Sequence, residues 1–296
     1  MRRHFPLIMP RAILLASLVS VLLTGKTSAA IGSCEFSDSS LSFNGTPAQQ
    51  AACLLRDVRR FGKVDKTSKA LDPSFSSLIN GAISVEKGSL LKYLQSSGIA
   101  ETDIGGSIAN PLSHAGSGDS KMPEVIYFVI HDVSSPNYAK NSFPDDINEA
   151  SWSGNDLVRW QHDTGAHVYV NRVGQSTTAR DLSIPWRATK FEVDLGVRSK
   201  GLFVHVELIQ PRKSASPGPI GNDAVAPEPG FTKAQLQRLA VVYVAASVRR
   251  RRWLVPAFHA VLDEGIPDGH DDPQNFATNA WISEVLSLVS TIQHQK

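Results

Sequence analysis

Six consecutive apolar residues, Val125–Ile130 (VIYFVI), are followed at once by His131. A run this short is the length of a strand, and with no polar alternation it reads as one covered on both faces at the centre of a sheet. From here on, strand patterns alternate with helical ones, which is the signature of an α/β domain. Val168–Val170 and Leu202–Ile209 are further strand candidates. Thr232 opens a helix, with Gln235 three positions on completing a capping box, and the pattern runs through LQRLAVVYVAASV to Arg249–Arg252. A last helix starts at Thr278 and places Trp281, Val285, Leu288, Val289 and Ile292 on one face. The expected fold is α/β, a central mixed β-sheet flanked by helices.

Ahead of this pattern stands a different kind of segment. Arg2, Arg3 and Arg11 precede an apolar run from Ala12 to Leu23, and small residues follow to Ser28, Ala29 and Ala30. Charged, apolar and cleavable stretches in that order make a secretory signal. Residues 1–30 are therefore read as a signal peptide, and the protein is expected to be exported to the periplasm or beyond the cell. The apolar run is shorter than the roughly 20 residues of a permanent transmembrane helix, and no later segment approaches that length. Four basic residues (Arg2, Arg3, Arg11, Lys26) and no acidic one lie in the signal, so the chain's 30 Lys and Arg fall to 26 against 28 Asp and Glu. A near-neutral mature protein has no electrostatic footprint for nucleic acid. The block Arg249–Arg252 is accounted for by the negative end of the helix dipole.

Cys34 and Cys53 are the only cysteines, and an oxidising compartment favours their pairing as a disulfide. The alternative is that Ile31, Gly32, Ser33 and Cys34 form a lipid-attachment box, which would make the chain an outer-membrane lipoprotein anchored through Cys34. Residues 31–120 read as a small, mostly helical region and linker: Gln49–Arg60 and Ser89–Ser97 have helical spacing, and Asn110–Met122, rich in Gly, Ser and Pro, reads as a flexible connection. Residues 121–296 form the α/β domain in which the chemistry is expected.

No GxSxG elbow, HExxH, CxxC pair or phosphate loop is present, which removes several hydrolase and nucleotide-binding classes. What remains is a dispersed set of histidines and acids. His131 ends the buried strand, the place where open α/β sheets put ligands. His259 lies in PAFHAVLDEG and Asp272 in DGHDDPQNF. Two histidines and a carboxylate match the open ligand set of catalytic zinc, which keeps a fourth position for water. Spacing alone leaves the question open, because an isolated histidine is as often a packed residue and an Asp before Pro an ordinary turn former.

Five segments stand in order: YFVIHDVSSP with His131, HVYVNRVGQ from His167 to Gln175, VHVEL with Glu207, FTKAQ at the start of the long helix, and HDDPQNF from His270 to Phe276. In turn they resemble the IHH or IHN strand end, HYLIDRDG, IGIEL, FTxAQ and KxDPGxxF motifs of the zinc-dependent N-acetylmuramoyl-L-alanine amidases, relatives of the peptidoglycan-recognition proteins. The resemblance covers roughly residues 120 to 285. It implies His131, His259 and Asp272 as zinc ligands, Glu207 as the acid/base residue and His270 as the oxyanion donor. It also implies peptidoglycan or muropeptides as partner, with cleavage between the lactyl group of N-acetylmuramic acid and L-alanine. Trp186 is expected to line the substrate groove, with a core tryptophan as the alternative, and Asp132 is a candidate for contact with the peptide stem, with an ordinary polar residue as the alternative. His205 shares the strand face of Glu207, either facing the site or merely packed. Two departures stand out: His270 occupies the family's usual Lys position, and the stretch from His259 to Asp272 is a few residues longer. Two other functions stay open on the sequence, a peptidoglycan-binding protein of the same fold that does not cut, and a zinc hydrolase of another amide.

Overall fold

A computed structural model describes residues 30–31, 34–214 and 224–295. Residues 1–29 of the expected signal, Gly32 and Ser33 of the lipid-box motif, and residues 215–223 lie outside the described residues.

The central sheet consists of β1 (Tyr127–Asp132), β2 (Val168–Val170), β3 (Ser176–Thr178), β4 (Phe203–Leu208) and β5 (Val255–Phe258), in the spatial order β5-β1-β4-β2-β3. β5, β1, β4 and β2 run parallel, and β3 returns antiparallel to β2, so the sheet is mixed. Every residue of β1 is buried, as its composition requires of an inner strand. β5 carries Pro256, which cannot donate to a ladder; the strand sits at the sheet edge, where that donor is not needed.

The helices are α1 (Pro47–Leu54), α2 (Pro73–Asn80), α3 (Lys87–Ser96), α4 (Lys190–Leu195), α5 (Lys233–Arg250) and α6 (Thr278–His294). α5 starts at the expected capping box, with the Thr232 side chain accepting from the Gln235 N–H. It covers one face of the sheet: Phe128 meets Tyr243 edge-on at 5.3 Å, and Tyr243 meets Trp281 of α6 at 5.2 Å. Trp281 is fully buried, and truncating a core aromatic of this kind to Ala costs about 3–5 kcal/mol.

The opposite face is closed by the amino-terminal region. Phe36 and Phe43, from a hairpin of Cys34–Ser37 and Ser42–Phe43, pack with Phe191 of α4 against Tyr127 and Phe203. Residues from Cys34 to Ile292 share one continuous apolar core, so the amino-terminal segments are a layer of the fold built around the sheet. The Cys34–Cys53 disulfide, with Cα atoms 5.9 Å apart, ties the hairpin to α1. It occupies the sulfur that a lipid anchor would need. No helix of the described residues is long and apolar enough to cross a membrane.

Asn110–Met122, expected as a flexible connection, is pinned to the body. The Ser113 N–H donates to Leu182 O (3.1 Å), its hydroxyl to Gly201 O (3.0 Å), and its carbonyl accepts from Val125 (3.0 Å). Gly201 permits this approach. It has φ +94°, and a Cβ there would lie 2.1 Å from His114 O. Composition marked the absence of regular structure here, but it does not register bonds to distant backbone.

Candidate metal centre

β1 and β5 run parallel with Ile130 opposite Phe258, so the next residues, His131 and His259, emerge side by side at the carboxyl ends of their strands. Their Nδ1 atoms are 2.8 Å apart. Asp272 reaches them on a separate segment, held by the Asp132 N–H, which donates to its Oδ2 (3.0 Å), and by its own carbonyl, which accepts from Ala260 (2.8 Å). Asp272 Oδ1 lies 3.1 Å from His259 Nδ1, and Oδ2 lies 3.8 Å from His131 Nδ1. All three side chains are buried, and one donor atom from each falls within 4.8 Å of the others.

The geometry can be tested against the ion that this donor set fits. Two imidazole nitrogens facing each other require one to carry a proton, and that proton can serve only some of the three converging lone-pair groups. A single cation serves all three at once, and two imidazoles with one carboxylate are a donor set for a divalent metal. The far sides of the rings are also arranged as in metal sites: His131 Nε2 is 3.0 Å from His205 Nδ1, and His259 Nε2 is 3.1 Å from Asp263 Oδ2. The cluster could therefore hold a metal ion.

Electrostatics separate the two histidines. Burial, reinforced by the neighbouring His259 and His205, keeps the His131 imidazole well below its ordinary range and therefore neutral. Burial also opposes charge on His259, but the carboxylates of Asp272 and Asp263 outweigh it and raise His259 to about 10. Asp272 is the reciprocal case: burial works against its charge, and His259 overcomes it, holding the carboxyl well below the carboxylate range.

Glu207 stands opposite His131 in the β1–β4 register, with Oε1 4.0 Å from His131 Nδ1. Its Oε2 is buried without a hydrogen-bond partner among the described residues. Burial, then repulsion from Asp272 and Asp132, raises its pKa well above that of an ordinary glutamate. A cation in the cluster would draw it back toward the charged form. His270 lies at the rim, its half-exposed ring stacked on His259 at 4.3 Å and its Nδ1 3.6 Å from Asp272 Oδ1.

Two expected substrate contacts sit differently. Asp132 is buried and already engaged: Oδ2 accepts from Arg212 Nη2 at 2.8 Å, and Oδ1 accepts from the Ser134 N–H and hydroxyl, both at 3.0 Å. Its carboxylate has no free face for a peptide stem, and its backbone N–H instead positions Asp272. Trp186 is half-buried with the Arg180 guanidinium 3.6 Å from its ring centroid, so a cation already covers one face of the indole. Asp263, Glu192 and Arg212 escaped sequence reading. Asp263 left a trace, as the residue four positions after His259 that caps the turn His259–Leu262. Glu192 appears in sequence only as the end of a capping box from Thr189, with nothing to indicate its contact with β4.

No protein-family model matches the chain, and neither does any curated protein or solved structure. The functional reading therefore rests on the residues themselves.

Proposed function

We propose that the protein is an exported zinc amidase of peptidoglycan, hydrolysing the amide between the lactyl group of N-acetylmuramic acid and L-alanine. The observation that carries this reading is the convergence of His131, His259 and Asp272 beside a carboxylate, Glu207, that has a buried oxygen without a partner. The resemblance of five ordered segments supplies the substrate class. The Cys34–Cys53 disulfide agrees with an oxidising compartment.

His131, His259 and Asp272 would hold the ion, which in such a site supplies Lewis acidity and brings water ionisation close to neutral pH. Glu207, near the ligands without joining them, takes the proton of the attacking water and later delivers it to the leaving alanine nitrogen. Beside the ion Glu207 is drawn to the charged form, which can accept that proton, while burial and the nearby Asp272 and Asp132 keep it basic enough to hold the proton until it is released. His270 reaches over the rim and donates to the carbonyl oxygen as negative charge develops there. The Asp132 N–H holds Asp272 in place, and Arg212 in turn holds the Asp132 carboxylate.

Muropeptides incubated with the purified protein and analysed by mass spectrometry test the reading. Release of free stem peptide is the expected result. Binding without release would make the chain a peptidoglycan receptor, and zinc-dependent cleavage of a different amide would leave the metal site standing but remove the substrate.

A further inference from the structure

Behind the metal cluster runs a row of polar groups that the proposed reaction does not use. His131 Nε2 faces His205 Nδ1 across 3.0 Å, and His205 Nε2 faces Glu192 Oε2 obliquely across 3.3 Å. His205 and Glu192 have no exposed surface. They sit in the layer occupied by Phe191 and Phe203, where apolar side chains would fill the space without the cost of burying a carboxylate.

Both groups are held in place. Glu192 Oε2 accepts from the Ala188 N–H (3.1 Å), the Thr189 N–H (3.2 Å) and the Thr189 hydroxyl (3.0 Å), so it cannot swing. The backbone N–H of His205 donates to His167 Nδ1 at 3.1 Å, and His167 Nε2 is 3.1 Å from Ile184 O, an acceptor only. His167 therefore carries its proton on Nε2, and its ring lies parallel to that of His205 at 5.6 Å.

We propose that His205 and Glu192 are positioning residues for His131, fixing its tautomer so that Nδ1 is the bare nitrogen offered to the cation. The inference rests on the reading of the cluster as a metal site. Its direction follows from the end of the row. Glu192 Oε2 accepts in all three of its hydrogen bonds, so the Nε2 side of His205 faces an acceptor; the 3.3 Å approach is too oblique for a hydrogen bond, but it favours the His205 proton on Nε2 and leaves Nδ1 bare. That bare nitrogen accepts from His131 Nε2–H, which leaves the lone pair of His131 on Nδ1, pointing at His259 and Asp272. Asp263 does the same for His259 in one step, whereas His131 is served through an intervening ring.

Zinc affinity measured by chelator competition on the full chain tests this, together with the histidine tautomers read by nitrogen NMR. His205→Phe keeps a ring but removes both nitrogens, and zinc binding should weaken about 10- to 100-fold. His205→Gln restores an acceptor toward His131 and a donor toward Glu192, and should recover most of the loss. In the zinc-loaded wild type, His131 and His205 should both be protonated on Nε2. His205→Phe binding zinc as tightly as wild type, His205→Gln no better than Phe, or His131 bound through Nε2 would each overturn the inference while leaving the metal site intact. Wild-type protein that binds no zinc would overturn both.

Discussion

Glu207 and His131 are direct partners across two parallel strands, and the Glu207 carboxylate comes within 4.0 Å of the nitrogen that His131 turns toward the cluster. The ladder fixes this relationship, because parallel register puts the two side chains on one face whatever the surrounding loops do. The proposed proton-transfer group and the proposed ligand are thereby held together by backbone hydrogen bonds.

The first expectation concerns Glu207 alone. Glu207→Gln keeps the side-chain shape but cannot take a proton, so zinc content should stay at the wild-type level while muropeptide turnover falls about 100- to 10,000-fold. Metal analysis and turnover measured on the same preparation check this. Loss of the metal in Glu207→Gln would instead make Glu207 a ligand or a fold residue.

The second concerns the proton that a metal must displace. His259 is raised from its ordinary 6.5 to about 10 by Asp272 and Asp263 against the effect of burial. In the metal-free protein, the stability from that proton is fully present below about pH 6.5 and is lost as pH rises through about 10. Zinc binding ejects the proton, so affinity should climb about tenfold per pH unit inside that window, with about one proton released per ion. Calorimetry in buffers of different ionisation enthalpy measures the release, and a flat affinity profile would contradict the assignment.

Burial on both faces leaves a trace in composition, which is why VIYFVI announced the central strand. Alternation in VHVEL likewise announced that His205 and Glu207 share a face. Partners distant in sequence leave no such trace. Arg212 meets Asp132 80 residues away, and nothing around either residue marks the pair. The short polar strand β3, Ser-Thr-Thr, and the proline-bearing edge strand β5 lack the apolar runs by which a strand is recognised. The convergence of His131, His259 and Asp272 was legible as a resemblance of motifs, whereas their supports were not, because those come from α4, the β4 face and a loop.

The third expectation concerns the disulfide. Cys34 and Cys53 are separated by 19 positions, and closing a loop of that size contributes about 3 kcal/mol through the unfolded chain. The double variant Cys34→Ser/Cys53→Ser should lose about that much in urea unfolding, and non-reducing intact mass should show no free thiol in the wild type. Two titratable thiols in the native protein would refute the bond.

The fourth concerns Arg249, first of the four arginines ending α5. A helix-dipole account treats them alike, at up to about 1 kcal/mol each in exposed positions. The structure sets Arg249 apart. Its side chain is fully buried, and its guanidinium donates to the carbonyls of Gly105, Asn110 and Pro111 and, at 2.9 Å, to Asp181 Oδ1. It thus fastens the segment before β1 to the end of α5. Arg249→Met takes a donor away from three carbonyls and a carboxylate, of which Gly105 O keeps the Leu182 N–H and Asp181 Oδ1 the Ser183 N–H, and should cost about 3–5 kcal/mol, whereas exposed Arg252→Ala should change stability by no more than about 0.5 kcal/mol. The cost should also depend on pH. Burial raises the pKa of Asp181, but bonds from Ser183 and Arg249 outweigh it and hold the carboxyl below its ordinary 3.8. Stability from this carboxylate is therefore present above about pH 4 and is lost as pH falls through the lowered value. The gap between wild type and Arg249→Met should narrow in acid but not close, because the carbonyl bonds do not titrate. Urea unfolding of both variants at neutral pH and near pH 3 measures this; equal losses for Arg249→Met and Arg252→Ala would return the whole block to the helix dipole.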